Sequence, residues 1–419
     1  DTTTATTVRP VVTQPPGPGF TIPPPPGDGT AWTVDTSRCA DLAAATTVID
    51  DTFVIGTTAP QSGDLSETIY APVVEGMRAY IAQANRDDVL GSVRVELQVA
   101  DDKGQAELSP VAVDGLADAG ADVIAAMAGV ANNLAVRDYL SDNCIPQVMS
   151  LATSSRLGEA RTYPWTMGGL VTDTLEITAF ADAIRRSTGE GATLGIVTVE
   201  DADGDAYAAA VAAAAGENDL RIVVRQTVLP GVFDAPVPQA RVLASSAPDA
   251  IIASVNGPTC ATLLTELAVV IRTTRNWNPD IYLSSACADP TVLQLAGSAA
   301  DGVLTASTMG APTDEFIETM AARGVTTGIT RAQLGWTMAE VTVAIAARAQ
   351  QSDVGLTRAS FIEAARALAY TPEFSRPGIE YVTDGLADAF PVESLQIVRY
   401  DARSHGFADV GDLIVQFES

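Results

Sequence analysis

Short apolar runs alternate with amphipathic stretches along the chain from about residue 53 onwards. The first series of runs is FVIG (53–56), VRVELQVA (93–100), DVIAAMA (122–128) and PQVMS (146–150). The second series is LGIVTVE (194–200), RIVVRQTV (221–228), AIIASVN (250–256), IYLSS (281–285) and GVLTAST (302–308). Near-continuous Val, Ile and Leu runs between helical patterns predict buried parallel strands that helices cover on both faces. Two such series predict two similar α/β lobes.

Helices are predicted between these strands and again after the second series. The clearest patterns cover residues 70–86, 108–119, 314–323, 331–350 and 356–368. The chain then ends in two strand-like pieces, GIEYV and SLQIVRYDA. This change of character after two α/β series predicts that the chain crosses between the lobes more than once. Several crossing segments would then form a hinge, and such hinges close around ligands in many proteins.

Small and polar residues follow two of the predicted strands at their carboxyl ends. DVIAAMA is followed by a tip that carries Asn132 and Asn133, and PQVMS is followed by Leu151, Ala152 and Thr153. Ligands bind in the crevice outside the carboxyl ends of parallel strands, so the two tips are predicted to form half of a binding site. The same residue types are also typical of plain turns, and that interpretation stays open.

Charge and composition narrow the possible functions. The chain has 24 Lys and Arg against 52 Asp and Glu, a net charge of −28, which argues against nucleic acid or an anionic membrane surface as a partner. Its one histidine, His405, lies in the turn-like segment RYDARSHGFAD, which leaves few ways to build a catalytic centre or a zinc site. No G-x-S-x-G, H-E-x-x-H, Walker or EF-hand pattern occurs. We therefore expect no enzyme activity, metal site or cofactor.

The N-terminal segment has a composition of its own. Residues 1–45 begin with the Thr-, Pro- and Gly-rich stretch DTTTATTVRPVVTQPPGPGFTIPPPPGDGT, which predicts a disordered tether. No apolar run reaches the roughly eighteen residues that a membrane span needs. The first residue is Asp rather than Met, so we expect an upstream segment with a lipidated cysteine. The expected location is the cell envelope, at the outer face of the cytoplasmic membrane, with the lipid as the only membrane contact.

Four cysteines, Cys39, Cys144, Cys260 and Cys287, allow three pairings. Their even number and the expected export favour disulfides over free thiols. Cys260 and Cys287 follow consecutive strand tips, whereas Cys39 and Cys144 each precede a strand of the first series. The preferred pairs are therefore Cys39–Cys144 and Cys260–Cys287, and four buried free thiols are the alternative.

A series of motifs recurs in a characteristic order from about Phe53 to the C-terminus. They are FVIGTTAPQSGDLSE, EGMRAYIAQAN, VELQVADDKGQAELS, AGVANN, IPQVMSLATSSRL, YPWTMGG, VTVEDADGDAY, PDAIIASVNGPTCATLL and AGSAADGVLTAST. In this order they resemble the type I periplasmic binding proteins of ABC importers, specifically the branched-chain amino-acid-binding group. The resemblance implies two doubly wound parallel-sheet lobes joined by a three-strand hinge. Lobe 1 would contain 46–168 and 309–375, and lobe 2 would contain 169–308 and 376–419.

The resemblance also implies a set of contacts to the solute in lobe 1. In relatives, the first tip carries a Ser that meets the solute carboxylate, and the second tip supplies backbone groups and a Thr hydroxyl. These roles carry over to Asn133, Leu151 and Thr153, with Asn132 and Ala152 beside them. Fixed neutral donors can hold a carboxylate without a buried counter-charge.

Lobe 2 departs from the family pattern. Relatives place an acidic side chain after the strand matched by IYLSS, where it meets the ligand ammonium, but Ser285 falls there. Burying an ammonium without an anion is expensive. Either Asp203, Asp205 or Asp64 takes over that role, or the ligand is not an α-amino acid. The remaining candidates for the cleft wall are Tyr207, Asn256 and Trp165. The two aromatic residues could equally belong to an ordinary hydrophobic core.

These features predict an extracytoplasmic, monomeric solute-binding protein. It would capture a small amino acid, amide or carboxylate between its lobes and deliver it to the permease subunits of an ABC transporter. A ligand-sensing receptor ectodomain of the same fold is the alternative function. An enzyme with a Ser or Cys nucleophile is disfavoured, because no suitably placed histidine could activate it.

Overall fold

The computed structural model describes residues 32–62, 69–230, 235–255 and 257–415. The helices in these ranges are α1 (Leu42–Thr46), α2 (Ala71–Arg86), α3 (Ser109–Asp118), α4 (Val130–Asp142), α5 (Asp173–Thr188), α6 (Ala202–Glu217), α7 (Val237–Ser246), α8 (Gly257–Thr273), α9 (Pro290–Ala296), α10 (Asp314–Ala322), α11 (Ile329–Gln350) and α12 (Arg358–Ala365). The strands are β1 (Thr52–Thr58), β2 (Arg94–Ala100), β3 (Val123–Ala125), β4 (Gln147–Ser150), β5 (Thr166–Gly168), β6 (Thr193–Val199), β7 (Arg221–Val228), β8 (Ala250–Ser254), β9 (Asp280–Leu283), β10 (Leu304–Ser307), β11 (Ala369–Tyr370), β12 (Tyr381–Val382), β13 (Gln396–Asp401) and β14 (Gly406–Asp409).

Two separate sheets define two lobes. The sheet of lobe 1 has the strand order β2-β1-β3-β4-β5, and its strands are parallel. The sheet of lobe 2 has the order β14-β13-β10-β9-β8-β6-β7, in which β13 and β14 run antiparallel to their neighbours and the rest are parallel. Central strands such as β8, with Ile251, Ile252 and Ala253 fully buried, carry the apolar runs that the sequence showed. The predicted fold class, two doubly wound α/β lobes, is confirmed.

Helix α11 fixes the rear of lobe 1 through an unusually close contact with α2. A Cβ atom on Gly76 would lie 1.8 Å from the carbonyl oxygen of Ala332, and one on Gly335 would lie 1.9 Å from that of Val73. Only glycine allows two helix backbones to approach this closely. Because α11 follows β10 of lobe 2 and packs on α2 of lobe 1, this contact holds the returning chain firmly on lobe 1.

The chain passes between the lobes at three places, as the sequence predicts. The first passage joins β5 to α5, and the second joins β10 to α10. The third leads from the β11–β12 pair to β13. The segment of the second passage is hydrogen-bonded to the loop between β11 and β12: Gly310 N–H donates to the Phe374 carbonyl at 2.8 Å, and Arg376 N–H donates to the Thr308 carbonyl at 2.9 Å. Motion of the lobes would therefore bend these segments together.

The last passage lies later in the chain than the predicted boundary at residue 375. The hydroxyl of Thr383 donates to the Ala365 carbonyl at 2.7 Å and accepts from Leu368 N–H at 2.9 Å. Gly385 N–H also donates to the carbonyl of Arg366. These bonds hold the chain near β12 on α12, which packs on α11 in lobe 1. The chain belongs to lobe 2 only from β13 onwards.

The last part of the tether predicted for residues 1–45 is folded: residues 32–45 lie on lobe 1, and residues 1–31 lie outside the described ranges. Val34 N–H donates to Glu363 at 3.0 Å, and Asp41 caps the first turn of α1 by accepting from Ala44 N–H. The Cys39–Cys144 disulfide then joins this segment to lobe 1. This segment has too few apolar residues for the sequence to predict that it folds. The disulfide adds the stability that the packing of so few apolar residues does not give.

Both preferred cysteine pairs are confirmed. Cys39 bonds to Cys144 and Cys260 bonds to Cys287, with Cα atoms 5.4 and 5.8 Å apart. The second disulfide joins the start of α8 to the loop that follows β9. Because β8 and β9 are neighbouring strands, this bond fixes the carboxyl edge of the second sheet. In the described part of the chain, no helix is both long and apolar enough to span a membrane.

Candidate functional site

The carboxyl ends of β3 and β4 lie side by side at one edge of the first sheet. Gly129 N–H donates to the carbonyl of Leu151 at 3.2 Å, and Leu151 N–H donates to Met127 at 2.9 Å. Ala126 and Met149, close to these ends, have left-handed backbone with φ of 54° and 51°. Such conformations cost free energy in non-glycine residues and are often found at functional edges. The structure therefore brings the two predicted tips together.

The two asparagines of the first tip do not face the crevice, which corrects the prediction made for them. Asn133 is fully buried; its amide donates to the carbonyls of Met127 and Gly129, and its amide oxygen accepts from Gln147 at 2.9 Å. The amide of Asn132 donates to Asp102 at 3.0 Å and also to Ser109. Both side chains bind parts of lobe 1 to each other, because their positions in the first turn of α4 point inward.

Thr153, at the second tip, lies at the first passage between the lobes. Its carbonyl accepts from Asp173 N–H at 2.9 Å. Its hydroxyl donates to the Asp173 carboxylate, which lowers the pKa of that group against the effect of burial. Leu151 beside it is half-buried and Ala152 is buried. Thr153 therefore joins the tip of β4 to the first turn of α5.

Two acidic residues, Asp173 and Glu176, share one face of the first turn of α5. Thr172 caps this helix by accepting from Leu175 N–H at 3.3 Å. Residues three apart on a helix are neighbours, so the two carboxyl groups lie close together. Carboxylates are favoured at a helix N-terminus, where the unpaired N–H groups carry partial positive charge. Glu176 is only 2% exposed despite its charge.

Lobe 2 surrounds Glu176 with two of the residues that the sequence singled out. The Ser285 N–H donates to one carboxylate oxygen at 2.8 Å, and the Tyr207 hydroxyl donates to the other at 3.4 Å. Ser285 is exposed and Tyr207 is buried. Glu176, from another element, thus places its carboxylate next to Ser285, the position at which the resemblance implied an acidic side chain.

Burial and mutual repulsion favour the protonated forms of the two carboxyl groups of Asp173 and Glu176. Burial, followed by the charge of Asp173, raises the pKa of Glu176 to about 8. Burial and the charge of Asp203 raise the pKa of Asp173 to about 6. Asp203 begins α6 at the exposed edge, where burial and Asp201 raise its pKa and Arg156 of lobe 1 lowers it. Within the described residues, neither Asp173 nor Glu176 forms an ion pair with Lys, Arg or His.

The other predicted site residues lie elsewhere or outside the described ranges. Trp165 is 2% exposed and belongs to the main hydrophobic core, so it does not line the crevice. Asp205 is exposed and pairs with Arg225 on β7. Asp64 and Asn256 fall on residues that the structure does not describe. The cluster therefore contains Thr153, Asp203, Tyr207 and Ser285 from the predicted set.

Asp173 and Glu176 were not predicted from the sequence. In the segment VTDTLEITAF, both acidic residues are explained by their position in the first turn of a helix, where acidic side chains are favourable. A signal was nonetheless present, because Glu176 lies four residues before the fully buried Phe180 and thus on the apolar face of α5. An acid on an apolar face is an expensive placement that points to a function or a specific partner.

Comparison with known proteins identifies the family of this chain. A family model described as periplasmic binding protein matches residues 52–405, most of the chain. The chain belongs to the periplasmic binding protein family. The predicted resemblance to the type I proteins is thereby confirmed. Membership in a solute-binding family also implies a location outside the cytoplasm. Among curated proteins, none matches this periplasmic binding protein by sequence.

Solved structures support the same fold. A branched-chain amino acid ABC transporter protein from Thermus thermophilus with bound valine is 17% identical; the alignment covers 87% of this chain and 97% of that chain, with a TM-score of 0.77. A fatty acid ABC transporter substrate-binding protein from Thermomonospora curvata is 19% identical over 88% and 93% of the two chains, with a TM-score of 0.72. A possible leucine/isoleucine/valine-binding protein from Rhodopirellula baltica SH 1 is 15% identical over 88% and 98%, with a TM-score of 0.69. Identities this low establish the fold and leave the ligand open.

Across the described ranges, no group of three or more His, Cys, Asp or Glu side chains is arranged to hold a metal ion. Glu176 is held within lobe 2 by the Ser285 N–H and the Tyr207 hydroxyl, each of which donates to one carboxylate oxygen, and Asp173 lies beside it, partly exposed.

Proposed function

We propose that this periplasmic binding protein captures a small solute with a protonated nitrogen, such as an amino acid, between its lobes and delivers it to an ABC permease. The observation that carries the proposal is the pair Asp173 and Glu176, buried where the lobes meet and lacking a cationic side-chain partner. At neutral pH the ionised Asp173 would repel an anionic solute that has no amine, whereas a protonated nitrogen would favour the ionised form of both carboxyl groups. Among the predicted ligand classes, this favours amino acids over plain carboxylates.

The rest of the cleft offers contacts for the carboxylate of an amino acid. Its carboxylate would lie near the tips of lobe 1, where the first turn of α4 presents unpaired backbone N–H groups. The ammonium would then face Glu176 and Asp173 on α5. A zwitterion would thus bridge the lobes, with its negative end on lobe 1 and its positive end on lobe 2. The lobes would close because only the closed form lets the carboxylate and the ammonium of the solute make their contacts at the same time.

A matched series of solutes tests this proposal. We expect L-valine, or another amino acid from a panel of twenty, to raise the melting temperature at pH 7.5, because binding only the native form stabilises it. Its deaminated counterpart, 3-methylbutanoate for valine, is expected to give no shift. Its decarboxylated counterpart, isobutylamine for valine, is expected to give a smaller shift because it keeps only the ammonium. A deaminated acid that stabilises the protein as strongly as its amino acid would contradict the proposal.

A further inference from the structure

Asp289 of lobe 2 contacts lobe 1 through two side chains of α11. One carboxylate oxygen caps α9 by accepting from Thr291 N–H at 2.8 Å. The other accepts from the Thr330 hydroxyl at 2.9 Å and from Nε of Arg331 at 3.0 Å. The side chains of Asp289 and Arg331 are only 6% and 20% exposed. We name this group of Asp289, Thr330 and Arg331 the interlobe clasp.

Arg331 is placed where its own helix does not favour it. The N-terminus of a helix carries partial positive charge, so an arginine in the first turn is disfavoured there. The helix begins after Gly328, which has left-handed backbone and provides no side-chain cap. By contrast Arg348 lies in the last turn of α11, where a cation is favoured. The anion that compensates Arg331 is Asp289, on the opposite lobe.

The clasp is joined to the proposed ligand site by a short loop. Ser284, Ser285 and Asp289 belong to the same turn after β9, in which Cys287 N–H and Ala288 N–H both donate to the Ser284 carbonyl. Ser285 holds Glu176 through its N–H, and Cys287 is fixed to α8 by its disulfide. One rigid loop thus contacts the acidic cluster at one end and lobe 1 at the other.

We propose that the interlobe clasp sets the balance between open and closed lobes and so controls the affinity for solute. Opening the lobes must break the ion pair and the hydrogen bond that join Arg331 and Thr330 to Asp289. The clasp therefore favours the closed arrangement even without solute. Its effect on affinity rests on the proposed function, because a solute that binds the closed form gains from a larger closed population.

The test measures the distance between lobes directly. Spin labels on V111C in α3 and A213C in α6, both exposed positions, report this distance by double electron–electron resonance while the native cysteines stay paired. R331M removes the clasp cation, and D289N removes its charge while an Asn still caps α9. Without solute, both variants are expected to move the distance distribution to longer values than in the wild type.

R323M is the matched control, because Arg323 pairs with Glu75 at 4.0 Å entirely within lobe 1. It is expected to leave the distribution unchanged. A wild-type distribution in both D289N and R331M would overturn the clasp. L-valine serves as the solute probe, and R331M is expected to weaken its binding about fivefold or more. A lengthened distribution that neither L-valine nor any other amino acid of the panel reverses in any variant would contradict the proposed function and leave the clasp standing.

Discussion

Replacing Glu176 by glutamine is expected to lower the affinity for an amino acid by about 100-fold or more. Leaving a buried charge without its partner costs about 3 kcal/mol or more, which corresponds to that loss. The glutamine oxygen still accepts the Ser285 N–H, so the loop after β9 keeps its position and the effect reports the missing charge. Adding D173N removes the second carboxylate and should abolish measurable binding. Titration calorimetry at pH 8 gives both affinities.

Two control variants separate the charge of Glu176 from its burial. Glu340 is an equally buried glutamate in α11, with a pKa of about 8, but it accepts from Tyr370 and from Glu373 N–H, away from the cleft. E340Q should therefore leave affinity within about twofold of wild type. D203N should cost only about two- to threefold, because Asp203 is exposed and its charge is screened by water. Equal affinities of E176Q and wild type would contradict the assigned role.

Without solute, the free energy of unfolding is expected to fall as the pH rises from about 5 to 8.5. Burial raises the pKa of Glu176 and of Glu340 to about 8, from an ordinary value near 4.5. A carboxyl whose pKa is raised by folding stabilises the protein below its unfolded pKa, and this contribution is lost as the pH passes the folded pKa. We expect a loss of about 2 kcal/mol or more across this range, since one pKa unit corresponds to about 1.4 kcal/mol. Urea denaturation at fixed pH values measures it.

The variants assign the pH dependence to its sources. E176Q and E340Q should each flatten the curve and be more stable than wild type at pH 8.5, because each removes the cost of ionising a buried acid. At pH 5, where both acids are already neutral, the variants and the wild type should differ little. An amino acid should flatten the wild-type curve by pairing with Glu176 and should have no such effect in E176Q. A wild-type curve that rises from pH 5 to 8.5 would be inconsistent with this assignment.

The strands and the lobe order follow from local patterns, and the sequence predicted them well. A strand made of a run such as AIIASVN is apolar on both faces, so both faces must be covered by other elements. When successive strands of this kind form a parallel sheet, only a few strand orders are possible. The cysteine pairs also followed, because strand order determines which sheet edge each cysteine reaches. These features depend on one or two neighbouring elements each.

The site was predicted less well, because it depends on contacts between distant parts of the chain. Asn133 looked like a tip residue that meets ligand, yet the first turn of α4 rotates it onto Gln147. Glu176 looked like a helix-start residue, yet its carboxylate reaches Ser285, 109 positions later. Only the packing of α5 against β9 makes the two residues neighbours. The boundary predicted at residue 375 differs from the structure for the same reason, since the bonds from Thr383 to α12 have no local signal.

The central claim is that a protonated nitrogen of the solute pairs with Asp173 and Glu176. A crystal structure of the protein with the most stabilising solute of the panel tests it most directly. The account predicts solute density between the lobes, with its nitrogen within hydrogen-bond distance of the Glu176 carboxylate. Density that places a carboxylate or an apolar group against Glu176, or that lies outside the cleft between Thr153 and Ser285, would contradict it.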